Sequence, residues 1–427
     1  MVLLLFALFF AMLFIGVPIA FAMAASALFS LVIYTDVPLI LIVQRVFAGA
    51  DSFSLLAIPF FIIAGEVMTA THMTHALVNL CQALVGRMRA GLGGVSVAAC
   101  VVFSGISGSG SADTAAIGSV MIPQLVARGY PRGVAAAIIA VAGALGPIIP
   151  PSLLMIIYGA IAEQSIGMLF LSGIIPGLLV GVGLFAVVMV GNARLHWEEP
   201  STEPFDLCAV WQSFRASLVP LGVPLVIIVG ILGGIFTTTE SSVIAAVYAL
   251  VAAYLYRRFT WAELRAIFLR AGLLSSLSLF VIAMSAIFSW ILAREGFPDQ
   301  MVQLTQALSG GDPLLAGAFI IAILLILGIF VEVLPLIIIF TPTLAPLGIA
   351  LGYDPIHWGL LMVMAMNIGG ITPPVGANLF IAASIAGCKL REMGRWSWIL
   401  TGVHVAVVFL VLLWPDLATW IPRAVMK

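Results

Sequence analysis

The chain has 427 residues, of which 63% are hydrophobic and only 8% charged, with a formal net charge of −1. Soluble domains carry about 25% charged residues, so the composition excludes a soluble enzyme and makes lipid the solvent. No Lys/Arg block marks a nucleic-acid partner, and Cys81, Cys100, Cys208 and Cys388 are too scattered for a disulfide or zinc framework.

A spanning helix needs about 20 apolar residues. In chain order the candidate full spans are 3–33, 54–70, 133–162, 167–191, 217–236, 240–256, 271–293, 357–387 and 397–421. The first lacks a basic leader and reads as a retained helix rather than a signal peptide. Residues 38–53 and 72–90 look amphipathic and read either as helices along the membrane surface or as tight loops. Segments 92–125 and 314–346 are apolar but interrupted near their middles by Gly and Pro. They read as re-entrant hairpins that enter and leave by one face. The stretch 192–216, with Glu198, Glu199, Pro200, Glu203, Pro204 and Asp206, is a polar connector. Under this arrangement 13 of the 17 Lys and Arg residues fall on one side and 4 on the other, so the first side is cytoplasmic.

Shifted so that Gly105 falls on Gly328, the sequence overlays itself without a gap. Pro123 then falls on Pro346, Gly129-Tyr130 on Gly352-Tyr353, and Gly146-Pro147-Ile148-Ile149-Pro150-Pro151 on Gly369-Gly370-Ile371-Thr372-Pro373-Pro374. The expected fold is therefore an all-α polytopic membrane protein with an inverted repeat, two re-entrant hairpins and two broken transmembrane helices. Residues 1–191 form the first repeat with hairpin 92–125. Residues 192–216 connect it to the second repeat, 217–427, with hairpin 314–346.

Irregular backbone at membrane depth must be buried in protein or line a wet cavity, and paired interruptions in two halves of a transporter point to its binding site. Four such segments occur: 104–114, 146–152, 328–335 and 369–378. Carbonyls freed at helix C-termini, helped by Ser and Thr hydroxyls, suit a small hard cation. Half-helix N-termini suit an anion. One hairpin tip facing one broken helix gives one cation cage per repeat, with an anion site between them. Asp113 and Glu332 are the intramembrane acids best placed for function, because each lies in a hairpin. No nucleophile–base set supports catalysis.

At these motifs the chain resembles the large membrane subunit of tripartite ATP-independent periplasmic (TRAP) transporters. The resemblance rests on Gly16-Val17-Pro18-Ile19-Ala20-Phe21-Ala22, Ile58-Pro59-Phe60-Phe61-Ile62-Ile63-Ala64-Gly65-Glu66, Ala112-Asp113-Thr114-Ala115-Ala116, Ile149-Pro150-Pro151-Ser152, Thr239-Glu240-Ser241-Ser242 and Thr372-Pro373-Pro374-Val375-Gly376, and covers essentially the whole chain. It implies an elevator-type secondary transporter of the bacterial inner membrane. Na⁺ would be its coupling ion, with no cofactor, and organic acids its cargo: dicarboxylate, sialic acid, keto acid or sugar acid. Its implied partners are a small four-helix membrane subunit and a periplasmic substrate-binding protein, both expected as separate chains. Carried over residue by residue, one sodium cage takes Ser107, Ser109, Ser111, Gly146 and Pro150. The other takes Gly328, Glu332, Gly369, Thr372 and Gly376. Substrate approaches Ser152, Thr372 and Asn378. The chain departs from the family pattern at Pro147, where an aliphatic residue is usual, and at Ala377, where a bulkier one is frequent. Two rival readings are a stand-alone sodium-coupled dicarboxylate carrier and a channel or scaffold subunit that binds no substrate. The spans lack the polar stripes of a sustained pore.

The Lys/Arg split makes a direct prediction. Single cysteines at positions 89 and 128 flank hairpin 92–125 and should react with impermeant reagents only from the cytoplasm. Labelling from opposite faces would turn the hairpin into ordinary spans.

Overall fold

The computed structural model describes residues 1–71, 73–88, 91–199, 206–256, 260–373 and 376–425. Regular structure among them is helical throughout, and eight helices are long and apolar enough to cross a membrane.

The repeat is visible helix by helix. Gly110–Ala127 and Val333–Ala350 are 18-residue helices that occupy the same place in the two halves. Gly91–Ser107 answers Pro313–Phe330, Met73–Val85 answers Phe297–Ser309, Arg132–Gly143 answers Pro355–Ile368, and Leu153–Ala162 answers Ala377–Ala386, all close to the same offset. One pair differs in continuity. Trp261–Arg294 is a single 34-residue helix started by a capping box from Thr260 and Glu263. Its counterpart is broken at Asp51-Ser52 into Ile40–Ala50, a short 3-10 turn and Ala57–Ala70.

The sequence reading of 3–33 as one span is corrected. Gly16 takes φ +91 and Pro18 stops a helix from continuing through it, so Val2–Phe14 and Ile19–Tyr34 are separate helices packed on each other. They form a second apolar cluster in which Leu5, Phe9 and Met23 meet Ile287, Phe288 and Ile291. The polar connector is also shorter than 192–216. Helix Ile174–Leu195 runs into it, and Leu207–Leu232 begins inside it, capped by Asp206. Pro200, Glu203 and Pro204 lie outside the described residues. The remainder is tied down: Glu198 accepts a hydrogen bond from the Leu92 N–H at 2.8 Å, and Trp197 packs between Tyr130 and Trp396.

Residues 92–125 and 314–346 are helical hairpins. Gly91–Ser107 turns at Gly108 (φ +63) and Ser109 into Gly110–Ala127, and Pro313–Phe330 turns at Val331-Glu332 into Val333–Ala350. Each broken helix is two half-helices, Arg132–Gly143 with Leu153–Ala162 and Pro355–Ile368 with Ala377–Ala386. The repeats exchange partners. Leu153–Ala162 packs on Val333–Ala350, and Ala377–Ala386 packs on Gly110–Ala127 and Arg132–Gly143.

At the centre, Asn367 Nδ2 donates to the Ala144 carbonyl at 2.7 Å. These two residues are repeat mates, occupying the same position in the two halves. An atom can touch its own mate only near the axis relating the halves, so this bond marks the pseudo-two-fold. Beside it, Gly328 and Gly369 bring backbone against backbone, and a Cβ on Gly369 would land on the Gly328 carbonyl. Overpacking of this kind costs roughly 1–3 kcal/mol. Gly369→Ala should therefore lower the thermal midpoint and depress transport. Gly394→Ala, whose Cβ meets nothing within 4 Å, should leave both unchanged.

Candidate functional site

The hairpin tips and broken helices enclose a cavity of about 490 Å³. Its wall contains the beginnings of four helices: Gly110 and Ser111, Leu153 and Leu154, Val333 and Leu334, and Ala377 and Asn378. Each N-terminus carries roughly half a positive charge in its unpaired N–H groups. Of the four, only Leu153–Ala162 has a side-chain cap, where Ser152 accepts from the Met155 N–H at 3.2 Å. The N-cap residues Ser109, Glu332 and Gly376 make no capping bond. Three uncapped N-termini and one capped one thus open on a single space, which no Lys, Arg or His among the described residues lines.

A second cavity of about 660 Å³ adjoins the first and shares Ser109, Ser111, Leu153, Glu332, Leu334 and Ile381 with it. It separates the tips from the outer helices, through Pro18, Phe21, Ile62, Glu66, Leu274 and Phe280. Glu66 pairs with Arg270 at 3.6 Å. Glu332 is exposed between the two cavities, and its carboxylate makes no hydrogen bond or ion pair among the described residues.

The first cage candidates gather around Asp113, which is fully buried in the first turn of Gly110–Ala127. Its carboxylate accepts from Ser104 Oγ at 2.7 Å and from Ser107 Oγ. Gly146 sits against it, close enough that a Cβ there would lie 2.7 Å from Asp113 Oδ2 and 3.0 Å from the Ser109 carbonyl. Ser109 and Ser111 hydroxyls are 3.2 Å apart on the cavity wall. Pro150 presents its carbonyl near Gly105 on the far side of the tip. In the second repeat, Gly328, Glu332 and Gly369 line the cavity. Thr372 and Gly376 form the adjoining turn, with the Thr372 N–H on the Gly369 carbonyl and the Gly376 N–H on the Thr372 carbonyl.

Of the substrate candidates, only Asn378 reaches the cavity. The Ser152 hydroxyl is buried and donates to the Pro147 carbonyl at 2.6 Å, and the Thr372 hydroxyl donates to the Ile368 carbonyl at 2.7 Å. Both departures from the family pattern, Pro147 and Ala377, do line it. Ser104, which opens segment 104–114, holds Asp113. One further residue escaped the sequence reading: Asn367 lines the cavity. The signal for Asn367 was an amide side chain inside an otherwise apolar segment.

Two hairpins meeting two broken helices around a cavity of helix N-termini define the chain as a multi-pass membrane transporter subunit. Its sequence matches the tripartite ATP-independent periplasmic transporter, DctM component, over residues 6–417, and the chain belongs to that family. It is 36% identical to an isethionate TRAP transporter permease protein, DctMQ, from Oleidesulfovibrio alaskensis, aligned over 93% of this chain and spanning 62% of that longer relative. It is 33% identical to the C4-dicarboxylate large permease DctM of Rhodobacter capsulatus, covering 99% of this chain and 98% of the relative. It is 36% identical to the 2,3-diketo-L-gulonate large permease YiaN of Escherichia coli, covering 94% of each. The crystal structure of the Alcanivorax borkumensis YdaH transporter superposes with TM-score 0.66 over 88% of this chain and 87% of that one, at 10% identity, a likeness of fold.

Because Ser152 is a helix cap outside the cavity, Ser152→Ala should act as a cap deletion, costing about 1 kcal/mol of stability. Thermal unfolding and uptake kinetics of the same preparation check this. The expected result is a lowered midpoint with KM unchanged.

Proposed function

We propose that this large permease subunit carries an organic anion inward together with Na⁺, receiving it from a periplasmic binding protein and working beside a small four-helix membrane subunit. The observation that carries the reading is the convergence of four helix N-termini on one cavity that no basic side chain among the described residues lines. Such ends attract an anion through fixed N–H groups and dipoles, and in a low-dielectric site those dipoles count for more than in water.

The donor set fits Na⁺. Around Asp113 it offers a carboxylate, the Ser107 hydroxyl and the Ser109 carbonyl; around Gly369 it offers backbone carbonyls. Hard oxygen donors of this kind suit small hard cations. Among the described residues no three His, Cys, Asp or Glu side chains gather as they would for a transition metal. An anion drawn to the N-termini and cations drawn to the neighbouring carbonyls favour each other's presence, which couples their movement.

The packing supports an elevator. The hairpins and broken helices pack on one another; the outer helices, including Leu207–Leu232, Thr238–Tyr256 and Trp261–Arg294, form a second set, meeting the first where Trp261–Arg294 lies on Val333–Ala350 and leaving the cavity of about 660 Å³ between them at the tips. In that motion the hairpin tips and the cargo travel together past the outer group, and the hairpins remain re-entrant throughout.

Moving one elementary charge across the membrane is worth about 2.3 kcal/mol per 100 mV, so an excess of Na⁺ over anion charge makes import both concentrative and electrogenic. The test is uptake into proteoliposomes holding the large and small subunits with the cognate binding protein outside. An inward Na⁺ gradient should drive accumulation, and omission of either partner should abolish it. Full uptake under a proton gradient in Na⁺-free buffer would refute the coupling, and full uptake by the large subunit alone would refute the assembly.

A further inference from the structure

The polar wall of the cavity between the hairpin tips is lopsided. Asn367 and Asn378 are 3% and 5% exposed. Both spend their amide nitrogens on carbonyls of the opposite repeat, Asn367 on Ala144 at 2.7 Å and Asn378 on Ala140 at 3.3 Å. A carbonyl only accepts, so each nitrogen faces its bond with one of its two N–H groups, and each side-chain oxygen is left as an acceptor with no donor among the described residues. Glu332 adds a carboxylate that also only accepts. Its repeat mate in the first half is Ser109, so one tip carries a hydroxyl where the other carries a charge. Ser109 and Ser111 are the hydroxyls that line the wall. The backbone N–H groups of the helix starts therefore serve one anionic group, while the Glu332 carboxylate and the side-chain oxygens of Asn367 and Asn378 offer acceptors to the rest of the ligand.

We propose that Glu332, with Asn367 and Asn378, selects a singly charged acid bearing hydroxyl groups over a dicarboxylate, the hydroxyls donating to these three side chains. The inference rests on the anion-site reading above and narrows its cargo. A second carboxylate at this wall would oppose Glu332 with no basic side chain to offset it, and would leave the acceptors unmatched. A hydroxylated tail satisfies them, and a site built to hydrogen-bond a hydroxyl discriminates strongly against the analogue lacking it.

The test measures ligand-induced thermal stabilisation of the purified large and small subunit complex at saturating Na⁺, with D-gluconate, hexanoate and succinate as probes. Gluconate should bind at least about tenfold more tightly than either other acid, as expected for a hydrogen bond to a charged acceptor. Glu332→Gln should erode most of that preference, Glu332→Asp should keep part of it, and the Na⁺ concentration giving half-maximal stabilisation should stay the same in both. Succinate binding as tightly as gluconate would overturn the proposal. So would a Glu332→Gln variant that shifts Na⁺ affinity equally for every probe, because Glu332 would then serve the cation. Stabilisation by none of the acids would remove the anion site itself, and the proposal with it.

Discussion

A helix broken in hydrocarbon leaves N–H groups on one side of the break and carbonyls on the other, and the surrounding lipid can satisfy neither. This chain makes four such breaks, two at hairpin tips and two within transmembrane helices, and brings all four together. The freed groups then face one another and a shared cavity, and the rest of the architecture follows from keeping them assembled. The second half-helices cross to the opposite repeat's hairpin, Leu153–Ala162 onto Val333–Ala350 and Ala377–Ala386 onto Gly110–Ala127. Asn367, Asn378 and His404 from the second repeat reach the carbonyls of Ala144, Ala140 and Val141 at the end of the first repeat's half-helix. Small residues let the backbones approach closely, as where Gly328 meets Gly369.

That bonding is not symmetric, although the helices are. The first tip is built on Ser107, Ser109, Ser111 and a buried Asp113; the second has Val333, Leu334 and Pro335 behind the exposed Glu332. A strictly symmetric pair of cages would hold two equivalent cations and offer an anion the same chemistry on both sides. The difference gives the cavity one hydroxyl-lined wall and one acceptor wall, and so a direction along which an asymmetric acid can lie.

The fold was legible because its signals are long-range and redundant. Hydropathy located the spans, the constant offset between the halves located both hairpins, and the breaks at Gly146-Pro147 and Gly369-Gly370 appear where the glycines and prolines put them. Local chemistry was harder to read. The break at Gly16-Val17-Pro18 was hidden inside a segment apolar enough to pass for one span. Ser152 and Thr372 carry the right hydroxyls for a ligand site, yet a hydroxyl one turn from a free carbonyl is satisfied by its own backbone first. Asn367 lacked any motif. Its role depends on Ala144, its own mate in the other half, a relation that residue type does not express but the repeat offset does.

The position of the anion is the decisive quantity. A cryo-electron microscopy structure of the assembled transporter with Na⁺ and a transported acid measures this directly. The acidic group should lie within hydrogen-bonding distance of the backbone nitrogens that begin the helices at Gly110, Val333 and Ala377, with Na⁺ density beside Gly146 and Gly369. An acid bound against the outer helices, or held by a basic side chain away from these three helix starts, would contradict it.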